Sequence, residues 1–460
     1  MAVDTEALAH STPPGPRGSR LLGSALDLKR DVLGTFHRAM LEYGDVVRFV
    51  AGPPGKLRAQ FVAFFHPDGV QHVLAGASDV YLKGDPVYQE IKATLGDGLL
   101  TSEGERWRRQ KRLIQPLFTH RRVASYVPMM AEEAAATVTR WRDAAGRGEP
   151  VDLGDEMAAV TLKVVGRALF GRDVGDAVPV IRKTVPFLSE RAVQRGLSPL
   201  PIPRTWPTPA NRRAESYQAA LYRVVDEIVA ERRTAPTTED DMLGLLLGAR
   251  DPEGGGGLDD DEVRDQVLIF LLAGHETTAT SLTFTLHLLG LHPEIQERVF
   301  QEAKDVLGDR QPTLEDVPAL AYTTMSIKEA MRLYPAAYAM GRLAMKDDSF
   351  NGYEIPAGTG AVASPWATHR HPRFWDEPER FNPERFTPER ERARPRYAYF
   401  PFGGGPRACI GSYFSMLEAA IVTAMLVKDF RVVTPPGPVK LFTGITLRPG
   451  QPMPCYLEPR

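Results

Sequence analysis

Between residues 259 and 292 the chain reads as one long helix whose middle has no polar face. "VLIFLLAG" at 267–274 is apolar on every side of a helical wheel, which predicts a helix buried in the core rather than lying on a surface. Asp259 followed by Glu262 spells a capping box with Asp at the cap, and Pro293 opens the next segment. The helix so bounded is about 50 Å long at ~1.5 Å per residue, enough to cross a whole domain. Earlier, "DLKRDVLGTFHRAMLEYG" (27–44) has helical spacing. "DVVRFVAGPPGKLRAQFVAFFHP" (45–67) reads as a hairpin about a PPG turn. From 103 to about 235 the pattern is helical, broken by "PLPIPRTWPTPAN" at 199–211, where proline density precludes helix or central strand. A loop that long suits a lid or access segment. "DPEGGGGLDDD" (251–261) is a flexible link into the long helix. After residue 350 the chain turns irregular, and "VKLFTGITLRPGQPMPCYL" (439–457) reads as short strands. The expectation is a mainly α chain with a small β region, one domain over 1–460, without internal repeats.

Composition narrows the function classes. With 43% hydrophobic and 25% charged residues the chain is an ordinary globular protein, and its formal net charge of −2 argues against a nucleic-acid binder. Two cysteines, Cys409 and Cys455, exclude a disulfide framework and a four-cysteine zinc site. Cys455 is expected to pack. The first twenty residues lack the basic and apolar regions of a signal peptide, and no apolar run is long enough for a transmembrane anchor, so a cytoplasmic protein is expected.

The richest segment is "YFPFGGGPRACIG" (399–411). Gly403, Gly405 and Ala408 form a GxGxxA after an aromatic run, which suggests dinucleotide binding. That reading needs a βαβ unit, and neither the 49 residues after Gly411 nor the preceding pattern supplies one. The other reading is a thiolate ligand. Glycines fold the backbone around Cys409, a helix begins just after it in "SYFSMLEAAIVTAML", and Arg407 adds a nearby cation. Phe402-x-x-Gly405-x-Arg407-x-Cys409-x-Gly411 resembles the cysteine-loop signature of the cytochrome P450 family at every specified position. The resemblance implies that family's fold, with heme b between the long helix and the cysteine loop and Cys409 as the proximal iron ligand.

Three other segments extend the resemblance. Ala273, Gly274 and Thr277 share one face of the long helix, where a flat cofactor and a diatomic could approach the backbone. "AGHETT" is similar to the family's oxygen-activating acid–alcohol pair, with Thr277 bonding dioxygen and Glu276 relaying protons. A zinc HExxH fails because position 279 is Ala. Glu329 and Arg332, in "SIKEAMRLYP", resemble the family's ExxR pair, joined by an arginine from a PERF string. "FNPERF" fits better than the earlier "PERF", which selects Arg385. Trp107 and Lys111, one helical turn apart, resemble a heme-propionate pair, with lysine where arginine is commoner. Arg342 and Arg407 resemble further propionate partners, and Phe402 and Gly411 belong to the same cofactor set. The resemblance covers essentially the whole chain.

It implies a monooxygenase that inserts one atom of O2 into a nonpolar small molecule such as a terpenoid, polyketide or macrolactam. Electrons would come from a ferredoxin and ferredoxin reductase, with no fused reductase, and the chain would act as a monomer. Arg106, Arg108, Arg109, Arg112, Arg121 and Arg122 could dock an acidic donor. Expected pocket walls are Leu99, Leu100, Phe270, Ala273, Tyr338, Ala339 and Met340, aliphatic and small. The alternatives are a fatty-acid hydroxylase, a peroxide-using heme-thiolate enzyme, and, outside catalysis, a heme-based binding or sensor protein.

Overall fold

The computed structural model describes residues 11–55, 58–171, 178–198, 200–234 and 241–460. The signal-peptide reading of the first residues, positions 56 and 57 of the hairpin turn and Pro199 of the proline loop lie outside them. Among the described residues, eleven helices have ten residues or more. In chain order they begin with Val32–Tyr43 (α1), Pro86–Leu95 (α2), Gly104–Ile114 (α3) and Val127–Gly146 (α4). Leu153–Phe170 (α5), Val178–Gly196 (α6), Pro209–Thr234 (α7) and Asp260–Leu291 (α8) follow. The last are Pro293–Leu307 (α9), Ala321–Leu333 (α10) and Ser412–Asp429 (α11).

Twelve short strands accompany them among the described residues. They are Val46–Ala51 (β1), Ala59–Phe64 (β2), Tyr81–Leu82 (β3), Val151–Asp152 (β4), Met340–Ala344 (β5) and Asp348–Phe350 (β6). Then come Tyr353–Ile355 (β7), Gly360–Ala363 (β8), Phe430–Val433 (β9), Leu441–Thr443 (β10), Leu447–Pro449 (β11) and Pro454–Pro459 (β12). The largest sheet has the order β1-β2-β8-β5-β3, with β2 and β8 parallel and the other neighbours antiparallel. The expected hairpin is β1–β2, with Val46 opposite Phe64. The 27–44 segment is two helices rather than one, because Asp31 interrupts it and its carboxylate accepts the Gly34 N–H at 2.8 Å to cap α1.

Helix α8 is the axis of the molecule. Its capping box is complete: the Asp259 carboxylate accepts the Glu262 N–H at 2.8 Å, and Glu262 accepts the Asp259 N–H at 3.2 Å. It is the one described helix long and apolar enough to cross a membrane, yet 78% of its apolar window is buried inside the protein. Helix α5 lies closely along it. A Cβ on Gly274 would meet Val165 Cγ2 of α5 at 2.9 Å, and the Thr161 hydroxyl of α5 donates to the His275 carbonyl at 3.1 Å. Glycine at 274 therefore permits the close approach of α5. Cys455, in β12, is fully buried beside β4, and burial pushes its thiol up to about 12.

Candidate active site

The cysteine loop is shaped by its own backbone. The Gly403 N–H donates to the Phe400 carbonyl and the Cys409 N–H to the Phe402 carbonyl, both at 2.9 Å. Gly405 has φ +65°, and a Cβ there would meet the Leu74 carbonyl oxygen at 2.1 Å, so no other residue fits. The aromatic run before it is no strand: Arg396–Ala398 is a 3-10 turn, which removes the structural basis of the dinucleotide reading. Cys409 carries free surface although protein encloses it. Desolvation raises its thiol pKa, while the Gly411 N–H and the positive charge of Lys83 act to lower it.

The small-residue face of α8 is open in the same way. Ala273, Gly274 and Thr277 are accessible in the middle of a helix whose flanking residues are buried. Two links set this face against the loop. The Thr278 hydroxyl meets the Ser415 hydroxyl of α11 at 3.0 Å, and Phe270 packs edge-on to Phe118, which lies 3.8 Å from the Cβ position of Gly411. Thr277 donates its hydroxyl proton to the Ala273 carbonyl at 2.5 Å. Glu276 is buried, with one oxygen 3.7 Å from Arg448 Nε of β11 and the other without a hydrogen bond. Desolvation raises its pKa against the opposing pull of Thr446 and Arg448.

A cluster of cations flanks the cysteine loop. Arg407 turns away from the sulfur: its guanidinium donates to the Ser102 carbonyl at 2.8 Å, pairs with Glu103, and lies over the Trp107 ring with Cζ 3.9 Å from the centroid. Arg407, expected from its place in the chain to supply positive charge to the sulfur, is engaged elsewhere, and the cation acting on Cys409 is Lys83. Lys111 donates to the Pro406 carbonyl at 3.0 Å and sits 5.1 Å from the same Trp107 centroid. Arg342, in β5, is buried and donates to the Gly341 carbonyl at 2.7 Å.

Sequence reasoning missed Lys83. It is buried, its ammonium donates to the Leu100 carbonyl at 3.0 Å, and burial with the like charges of Arg342 and Arg407 holds its pKa well below the usual lysine range. Its carboxylate neighbours are Glu103 and Asp85. No regular spacing marks it: apart from Asp85, its partners come from the loop at 100–103, β5 and the cysteine loop. A buried group of cations with this few carboxylates suits a ligand bearing acidic arms.

Other expectations move. Arg109 donates to Glu262 at 2.9 Å, Arg106 lies 3.5 Å from Glu262, and Arg112 pairs with Asp251 at 3.1 Å. These arginines tie α3 to the start of α8 and the loop before it, so most of the supposed docking patch is internally paired. Arg108 pairs with Glu105 at 3.1 Å. Among the pocket residues, Ala339 packs with the Phe36 and Phe49 cluster on the sheet side rather than with α8. Tyr338 donates its hydroxyl to the Gly444 carbonyl at 3.0 Å, and Met340 lies beside Gly403. Leu99, with its N–H bonded to Gln266 at 2.9 Å, and Leu100 pack against the main core. A small apolar cavity is lined by Ile91 and Leu95 of α2, Leu188 of α6, Leu221 of α7, Leu272 of α8 and Ile445.

Behind the loop, Arg332 donates to both oxygens of Glu329 at 2.6 and 2.8 Å, and both side chains are fully buried. Arg385 Nε stands 3.3 Å from the same carboxylate, whereas Arg380, in the other PERF string, is exposed and pairs with Glu377. Arg332 also donates to the His369 and Pro378 carbonyls at 2.9 and 2.6 Å.

Comparison with known proteins accords with this geometry. The Cytochrome P450 family model matches residues 13–454. The chain is a cytochrome P450. It is 37% identical over 98% of its length, and 96% of the relative's, to cyclooctat-9-en-7-ol 5-monooxygenase of Streptomyces melanosporofaciens. Pentalenene oxygenase of Streptomyces avermitilis is 34% identical over 93% of this chain and 94% of that one. The crystal structure of the cytochrome P450DA heme domain superposes with a TM-score of 0.87 at 28% identity, covering 98% of each chain. This P450 is a monooxygenase with heme b as its cofactor, acting on a small molecule with O2. The donor set fits heme: a thiol with free surface in the cysteine loop, an open small-residue face on α8, and a cation cluster for two carboxylate arms.

Proposed function

We propose that this P450 oxidises a cyclic terpenoid, with Cys409 as the iron ligand and electrons from a ferredoxin and its reductase. The observation that carries the site assignment is the open Ala273–Thr277 face of an otherwise buried helix, tied toward the cysteine loop through Thr278 and Ser415. Thiolate-ligated heme supplies activation of O2, with one atom inserted and the other released as water. The protein's part is positioning and proton supply. Lys83, Lys111, Trp107, Arg342 and Arg407 would hold the propionates. Phe402 and Gly411 shape the loop, and the Gly411 N–H favours the thiolate form. Thr277 would release its bond to the Ala273 carbonyl to donate toward oxygen, and Glu276 would resupply it from solvent. Glu329, Arg332 and Arg385 would fix the backbone beneath the loop.

The substrate class draws support from the relatives' names, which concern cyclooctat-9-en-7-ol and pentalenene, and from the aliphatic cavity wall. A Soret titration of the ferric protein with these compounds, a macrolactam and a fatty acid tests it. A low- to high-spin shift confined to the cyclic terpenoids is expected; a shift with the fatty acid alone would replace the substrate reading. A protein that takes up no heme would remove the site assignment itself.

A further inference from the structure

The hairpin of β10 and β11 sets consecutive residues against two different parts of the site. Ile445 lines the apolar cavity with Leu272, Leu188 and Leu221. The buried Thr446 hydroxyl lies beside the Glu276 carboxylate without completing a hydrogen bond. The Leu447 carbonyl accepts the Thr280 hydroxyl of α8 at 3.0 Å, which pins the hairpin to the helix. Arg448 Nε stands 3.7 Å from Glu276 Oε1, and its guanidinium stacks on Phe442 with Cζ 4.2 Å from the centroid. The Arg448 side chain is 32% exposed and that of Glu276 11%, so the arginine spans from solvent to the buried acid.

At 3.7 Å this contact is electrostatic and not a hydrogen bond, so the carboxylate can leave it cheaply. A buried carboxyl with no cation stays protonated at neutral pH and exchanges protons poorly with solvent. One beside a cation can be charged, and so can take up a proton and pass it on. Arg448 is the charge acting on Glu276. His275, the next residue back, is under the field of Arg182 of α6 and is held neutral by burial.

We propose that Arg448 is a positioning residue for proton delivery, holding Glu276 charged and in place from β11, and that substrate contact at Ile445 adjusts that hold through the same hairpin. The proposal rests on the reading of Glu276 as the proton relay. The turn that carries Ile445 is held at both ends, by the Tyr338 hydroxyl on the Gly444 carbonyl and by the Thr280 hydroxyl on the Leu447 carbonyl.

The test uses the ferric holoprotein and its R448Q, R448K, E276Q and E276Q/R448Q variants. Infrared difference spectra over pH follow the carboxyl band that E276Q removes. In R448Q that band persists to a pH at least one unit higher than in wild type, and R448K restores the wild-type titration. Pentalenene added to wild type shifts the same titration if it gives a Soret shift. With a surrogate ferredoxin and reductase, product per electron pair falls about tenfold in R448Q, within the range of a lost proton-transfer group, and R448Q adds nothing to E276Q. An unmoved Glu276 titration in R448Q overturns the proposal, as does an equal further loss in the E276Q background. E276Q with unchanged product per electron pair overturns the relay reading itself, a separate result seen before Arg448 is considered.

Discussion

The Arg407 guanidinium lies over the indole of Trp107, with Lys111 near the same ring, so two cations from different segments share one aromatic face system. The contact joins α3 to the cysteine loop, and Arg407 and Lys111 both continue into backbone carbonyls across that seam. Cation–π contacts of this kind are worth about 1–2 kcal/mol when desolvated. Trp107→Leu is therefore expected to lower holoprotein stability by that amount and to speed heme loss about tenfold. Transfer of heme to an acceptor protein, followed optically, checks it. Unchanged transfer would show that the ring only fills space.

Lys83 leads to a prediction of opposite sign for the two forms of the protein. Its buried ammonium faces two arginines, and its pKa is held down by burial first and by their charge second. If propionates are its partners, Lys83→Met weakens heme retention by about tenfold, while the apoprotein is unharmed or stabilised because a poorly compensated buried charge is gone. Thermal melts of apo and holo forms, side by side, separate these. A variant that destabilises both equally would make Lys83 a purely structural residue.

Why the sequence pointed to Trp107 and Lys111 but not to Lys83 is a matter of range. One helical turn relates the first two, and the capping box of Asp259 and Glu262 is likewise local; such features are readable from spacing. Arg448 and Thr446 meet Glu276 only through the fold, and the arginines that surround Lys83, Arg342 and Arg407, come from equally distant segments, so no spacing in the chain marks these positions. The same cause hides the partners of the α3 arginines. Read locally they are a solvated basic face, but the fold brings Glu262 and Asp251 onto them. Ala339 differs from its neighbours for a finer reason: Tyr338 and Met340 turn toward the β10–β11 turn and the cysteine loop, so in an extended segment Ala339 faces the opposite side.

The Glu329–Arg332 pair is a case where burial decides the magnitude. Both side chains are fully inaccessible, and Arg385 and the Asn382 N–H, at 2.9 Å, complete the carboxylate's partners. Removing one member leaves an uncompensated charge in the core, at a cost of about 3–5 kcal/mol. Arg332→Ala is expected to yield little folded heme protein, whereas Arg380→Ala, in the exposed PERF string, should be near neutral. Denaturant midpoints of the two variants test the contrast.

His275 gives stability a dependence on pH. Both ring nitrogens are buried without hydrogen bonds, and burial, then the charge of Arg182, lowers its pKa from 6.5 to about 4. The folded state therefore resists protonation where the unfolded chain accepts it, so stability is full above pH 6.5 and declines as pH falls toward 4. The drop is up to about 3 kcal/mol at 1.36 kcal/mol per pH unit. His275→Gln should flatten denaturant midpoints measured across that window. A slope equal to wild type would assign the acid sensitivity elsewhere, His287 being the other buried histidine lowered to about 4.

Thr277 tests whether the open face of α8 is the reacting face. Its hydroxyl proton is engaged by the Ala273 carbonyl, a bond it must give up to donate toward oxygen. Thr277→Ala removes the donor but also a mid-helix back-bond, which an α-helix does not need, so stability should change by less than about 1 kcal/mol. Substrate-induced Soret shifts should survive, because the methyl-sized side chain still lines the face. Product per electron pair should fall about tenfold, with peroxide appearing in its place, as expected when one proton donor of a relay is lost. Thr277→Ser, which keeps the hydroxyl, should recover most of the yield. Equal yields from the alanine and serine variants would show that the hydroxyl merely back-bonds within the helix.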